Sequence, residues 1–195
     1  MKKVFIALFM VAVSTASFAQ FKKGTFLVGG SSGLGLTLFK EKVTFSTSSS
    51  SGKSTSFELE PSAGYFIIDN LAVGAGLGVS ASSFKPDGNG AKSSQSTIVL
   101  SPFGRYYFNK FYAQGSIQFG SGKSKSTFNT TSETYTAAVS GFSLLVGYAL
   151  ALNEYVTFEP QVGYGSVTSN DKDRNIKIVN SGPLIRMGIF IYIAR

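Results

Sequence analysis

The chain has 195 residues, with 22 Gly, 18 Phe and 9 Tyr, no Cys and no His, and a formal charge of +8. Without Cys, neither a disulfide framework nor a thiolate metal site can form. Without His, the imidazole base used by hydrolytic triads and Asp/His pairs is missing, so an enzyme is not expected.

The first residues carry the three parts of a secretory signal: Lys2 and Lys3, an apolar run over 4–13, and small residues leading to Ala19 before Gln20. The run falls short of the roughly 20 residues that a membrane helix needs. Residues 1–19 are therefore read as a signal peptide, and 20–195 as one domain. A first strand is predicted over 25–39, then a long connection over 40–55 whose stretch 46–56 is low in complexity and expected to be mobile. Strands over 56–67 and 71–84 flank the short turn Ile68-Asp69-Asn70. In the second of these, Leu71, Val73, Ala75, Leu77 and Val79 alternate with Ala72, Gly74, Gly76, Gly78 and Ser80, the period of two of a sheet with unlike faces.

A long connection over 85–94 leads to strands 95–108 and 111–121, joined at Asn109-Lys110. Another, over 122–135, leads to strands 136–150 and 155–169, joined at Leu152-Asn153-Glu154; here Val156, Phe158, Pro160, Val162 and Tyr164 alternate with Thr157, Glu159, Gln161 and Gly163. A last connection over 170–176 precedes a strand over 177–194. Each segment reaches the roughly 9–11 residues that a tilted strand needs to cross hydrocarbon. Long connections alternating with short ones, both chain ends on the short-turn side, make an all-β, eight-stranded, antiparallel, up-and-down transmembrane β-barrel of a Gram-negative cell outer membrane. Short turns then face the periplasm and long loops the outside.

The aromatic residues follow the same division. Tyr65, Tyr106, Tyr107, Tyr112, Tyr148, Tyr155 and Tyr192, with Phe66, Phe108, Phe111 and Phe158, lie near short turns or the C-terminus, where one interfacial belt is expected. Phe39, Phe57, Phe84 and Phe119 lie at the opposite strand ends and suit a second belt. Basic residues gather in the long connections, among them Lys40, Lys42, Lys53, Lys85, Lys92, Lys123, Lys125, Lys172, Arg174 and Lys177. They suit anionic lipid headgroups or plain solvation. Nucleic acid is not expected as a partner, because the basic residues are spread along an exported chain.

The polar strand faces carry Glu58, Glu60, Arg105, Gln114, Gln118, Glu159, Gln161 and Arg186. With the apolar faces toward lipid these point into the lumen, where isolated charges are costly and should pair. At about 2.5 Å of climb per tilted residue, Arg105 falls level with Glu159, and Arg186 with Glu60 or Glu58. The expected lumenal ion-pair network is thus Glu58, Glu60, Arg105, Glu159 and Arg186. Glu58 and Glu60 share a face at roughly 6–7 Å, a spacing that carboxylate-pair hydrolysis can use, but pairing with Arg accounts for them better. No cofactor, catalytic or metal site is expected.

Three pieces recur: Glu60-Pro61-Ser62-Ala63-Gly64-Tyr65-Phe66, Ser101-Pro102-Phe103-Gly104-Arg105-Tyr106-Tyr107-Phe108 and Glu159-Pro160-Gln161-Val162-Gly163-Tyr164. Together with the Gly-rich run from Asn70 to Gly78, they resemble the outer membrane protein β-barrel domain family of Bacteroidetes, similar in architecture to OmpA-like and OmpW-like small barrels. The resemblance implies an integral outer-membrane barrel inserted by the barrel-assembly machinery. The expected function is a structural or surface-interaction role, as a monomer with a polar, side-chain-filled lumen among outer-membrane lipids. The alternatives are a narrow porin-like conduit for small solutes and a soluble, exported, lipocalin-like binding barrel.

Overall fold

The computed structural model describes residues 21–33, 52–86, 91–128, 131–171 and 176–194. The strands are β1 Phe26–Gly33, β2 Gly52–Ile68, β3 Leu71–Pro86, β4 Ala91–Phe108, β5 Phe111–Phe128, β6 Thr131–Tyr148, β7 Leu150–Ala151, β8 Val156–Asp171 and β9 Ile176–Ile193. They form one antiparallel sheet in the order β6-β5-β4-β3-β2-β1-β9-β8-β7, and a β6–β8 pairing closes it into a ring. Over the described length of β1, pairing with β2 on one side and β9 on the other completes the ring, as lipid requires of a sheet edge.

The two-residue β7 continues β6. Pairing of β6 with β8 runs to Gly147↔Gln161, and β7 resumes the same register at Leu150↔Phe158. In that register Pro160 stands opposite Tyr148, and proline has no N–H to offer. Eight staves therefore surround the lumen. Pro61 and Pro102 mark similar gaps: β2–β3 pairing passes from Leu59↔Val79 to Ser62↔Gly76, and β4–β5 pairing from Leu100↔Phe119 to Phe103↔Ser116. An unpaired donor in hydrocarbon costs several kcal/mol. A ladder gap is least costly where the chain has no donor, and the recurring Pro motifs supply such residues. Pro61 and Pro160 face outward beside the inward Glu60 and Glu159.

Two of the tight turns place an Asn in the left-handed region, Asn70 at φ 66° and Asn109 at φ 58°, which Asn tolerates well. In the third, Asn153 Oδ1 accepts the N–H groups of Tyr155 and Val156, both at 2.8 Å.

The long connections are shorter than their composition suggests. Strand β5 continues to Phe128 and β6 begins at Thr131, so most of 122–135 is a tall hairpin; β3 reaches Pro86 and β4 begins at Ala91, which reduces 85–94 likewise. Small hydroxyl residues pair across these ladders, as Thr127 Oγ1 does with Ser132 Oγ at 3.0 Å. Lys92, Lys123, Lys125 and Lys177 therefore stand on strands, and Lys53 and Lys85 belong to the paired β2–β3 ladder. The leader expected at 1–19, residues 34–39 of the first segment with Phe39, all but the last residues of the connection at 40–55, and Lys40, Lys42, Lys172 and Arg174 lie outside the described residues.

Outside, the wall is apolar: Leu77, Ile98, Leu100, Ile117, Phe119, Val146, Val162 and Ile189 are all exposed, and Leu144 is 60% exposed. Water does not tolerate an apolar surface on this scale, whereas hydrocarbon is its natural solvent. No helix among the described residues is long and apolar enough to cross a membrane. A lipocalin-like barrel would need the opposite polarity, with its charges outside.

Candidate functional site

The inward positions stack in storeys along the barrel axis. At the short-turn end, Arg105 on β4 is 2% exposed and Glu159 on β8 is 0% exposed, with Nη1 to Oε2 at 2.8 Å. The same Nη1 donates to the Tyr107 hydroxyl at 3.0 Å, and Nε donates to Gln114 Oε1 at 2.7 Å. The other Glu159 oxygen accepts from Tyr192 OH at 2.5 Å and from Thr157 Oγ1 at 2.8 Å. A carboxylate only accepts, so the Tyr192 proton is committed to Glu159. The 2.9 Å contact between Tyr107 OH and Tyr192 OH must then be donated by Tyr107. The result is a closed circuit in which Arg105 donates to Tyr107, Tyr107 to Tyr192, Tyr192 to Glu159, and Arg105 directly to Glu159.

Aromatic rings seal this circuit. The guanidinium carbon lies 4.3 Å from the centroid of Tyr112 and 4.5 Å from that of Phe190, within cation–π range. Phe21 stacks on Tyr107 with centroids 4.1 Å apart and planes at 18°. Its carbonyl accepts the Asn70 N–H at 2.7 Å, while the Lys23 N–H donates to Asp69 Oδ1 at 2.8 Å. The segment leading into β1 thus lies across the end of the barrel as a stopper. Tyr112 occupies the space beside Gly147 of β6, where a Cβ would collide with the phenol ring.

This end corrects two expectations. Tyr107, Tyr112, Tyr192 and Phe66, assigned to an interfacial belt, are buried in the lumen; Tyr65, Tyr106, Tyr155, Phe108 and Phe111 are the residues exposed outside. The lumen is also not polar throughout, because Leu27, Phe66, Phe103 and Phe190 are buried around the ion pair. The missed residues did have a signal. Tyr107 has the strand parity of Arg105, Tyr112 that of Gln114, and Tyr192 that of Arg186. Phe21 had none, since it precedes the first strand. At the opposite strand ends Phe57, Phe84 and Phe119 are exposed.

Above the plug, Ser116 and Ser143 share a 2.7 Å hydrogen bond, while Ser101 Oγ and Gln161 Nε2 are buried and find no protein partner among the described residues. The next storey holds the second charged group. Arg186 on β9 donates from Nη1 to Glu60 Oε2 at 2.6 Å and from Nη2 to Glu58 Oε1 at 3.4 Å. The structure therefore brings all five charged residues into the lumen, as two groups on different storeys. Gly76 lies beneath the Glu60 carboxylate, where a Cβ would stand 2.7 Å from Oε1.

Comparison with known proteins places this barrel. The family model for the autotransporter β-domain matches residues 44–173. No curated protein matches the chain. Among solved structures, Ail, the attachment invasion locus protein of Yersinia pestis, aligns with a TM-score of 0.56 at 10% identity, covering 88% of this chain and 99% of that one. Neisserial surface protein A (NspA) aligns at 0.48 and 14% identity, over 87% of this chain and 97% of that one. OprG of Pseudomonas aeruginosa aligns at 0.41 and 17% identity, over 89% and 98% respectively. With its family match, closed ring and apolar exterior, the chain belongs to the autotransporter β-domain family and is a β-barrel of the bacterial outer membrane.

Proposed function

We propose that this barrel is a closed structural or surface-interaction protein, with its short turns in the periplasm and its tall hairpins outside the cell. The observation that carries the reading is the plug: a hydrogen-bonded circuit of Arg105, Tyr107, Tyr192 and Glu159, sealed by Phe21, Phe66 and Phe190 at one end of the lumen. An eight-stranded barrel has an interior that side chains can fill, and here large ones fill its short-turn end. The barrel is monomeric and has no catalytic role, in keeping with a sequence that has no His and with carboxylates engaged by Arg105 and Arg186. Lys92, Lys123 and Lys125 stand exposed on the hairpins above the apolar belt, where anionic lipid headgroups are their natural partners. The recurring Pro-containing motifs support placement among the Bacteroidetes-type barrels, with export by the leader at 1–19 and insertion by the barrel-assembly machinery.

Conductance in planar bilayers tests this reading. The closed barrel gives no steady current above that of the bare membrane. A stable, reproducible conductance step would refute the plug and favour the narrow solute conduit instead.

A further inference from the structure

We infer that the lumen on the hairpin side of the Arg186 group is a binding pocket for a small amphipathic organic cation, an alkylammonium being the simplest member of the class. A cavity of about 220 Å³ lies there, with Glu58, Glu60 and Arg186 among its lining. It shares Gln95, Ser169 and Asn180 with a second cavity of about 280 Å³ nearer the hairpins, whose lining includes Tyr135 and Ile178. Together they reach the size range of small-molecule sites, roughly 300–1,000 Å³.

The charges at the inner cavity do not balance. One guanidinium faces two carboxylates, and Glu60 holds it at 2.6 Å while Glu58 makes the longer and weaker contact at 3.4 Å. The Glu58 side chain is 41% exposed and has no other side-chain partner among the described residues. Among the described residues, the lining of this cavity thus carries one more negative charge than positive. Gln118 lines the same cavity and is 6% exposed. Its amide carbonyl suits an ammonium donor. Val99, Val139 and Val167 complete the lining and give an alkyl chain an apolar wall. An anion would meet Glu58, and a bare metal ion would leave the valine wall unused.

This pocket lies on the far side of Arg186 from the plug, so its occupancy is independent of whether the barrel conducts. The test is an NMR titration of the full-length mature barrel in detergent micelles, following valine methyl resonances as n-butylammonium is added. Heat-modifiable gel migration verifies that each variant is folded. Saturable shifts at Val99, Val139 and Val167 are expected with butylammonium and not with butyrate or 1-butanol. Glu58→Gln keeps the Glu60–Arg186 pair and should weaken binding about tenfold or more, the least expected for one charge-assisted hydrogen bond. Val139→Phe fills the cavity with Glu58 intact and should abolish the shifts. Equal binding of butyrate or butanol, no saturable shift, or an affinity in Glu58→Gln within about twofold of the parent would each overturn the assignment, taking a tenth of the affinity as the expected scale.

Discussion

Replacing Glu159 by Gln keeps the shape of the side chain, removes its charge, and leaves the Arg105 guanidinium 2% exposed with no counter-ion at its side. Breaking one partner of a buried ion pair costs about 3–5 kcal/mol. Part of the environment survives here: Arg105 still donates to Gln114 and Tyr107 and still lies against the faces of Tyr112 and Phe190, contacts worth about 2 kcal/mol or more when desolvated. The Gln amide also has one carbonyl for the three donors that Glu159 serves from Arg105, Tyr192 and Thr157. We therefore expect a loss near the lower end, about 3 kcal/mol, measured by urea unfolding in lipid vesicles with the folded fraction read from gel migration. The double substitution Arg105→Met, Glu159→Gln removes the stranded charge and should be less destabilised than Glu159→Gln alone. A Glu159→Gln barrel within about 0.5 kcal/mol of the parent, the range of ordinary surface changes, would refute the reasoning: Arg105 would then have water beside it, and the lumen would be wet through the plug.

Two further substitutions probe the wall. Leu144→Arg, at an outward position, should cost about 2–4 kcal/mol at mid-depth in the bilayer by the same unfolding measurement; a cost under about 0.5 kcal/mol would mean that this face meets water. Gly147→Ala introduces a Cβ where the Tyr112 ring already sits and should cost about 1–3 kcal/mol through overpacking. Adding Tyr112→Leu should relieve most of that penalty, and its failure to do so would place the strain elsewhere.

The polarity of each wall could be read from the chain itself. The alternation over 71–79 and 156–164 assigns Leu77 and Val162 to lipid and Glu159 and Gln161 to the lumen without reference to any partner, because successive strand residues must point to opposite faces. Short-turn Asn residues were legible for an equally local reason, since left-handed dihedrals suit few side chains. The tall hairpins were not: Ser, Thr and Lys at 122–135 compose a loop by local preference, and only the neighbouring strands keep the ladder going to Phe128 and Thr131. The aromatic belt went astray for a related reason. Height along the axis collected Tyr106 with Tyr107 and Phe111 with Tyr112, although pleating sends one of each pair outward and the other inward. What tertiary structure alone decided is how the inward residues meet. Ring closure sets the Tyr192 hydroxyl of β9 against Tyr107 of β4, 85 residues apart, and lays Phe21 over both. Such contacts depend on the curvature and stagger of the whole barrel, which no single strand encodes.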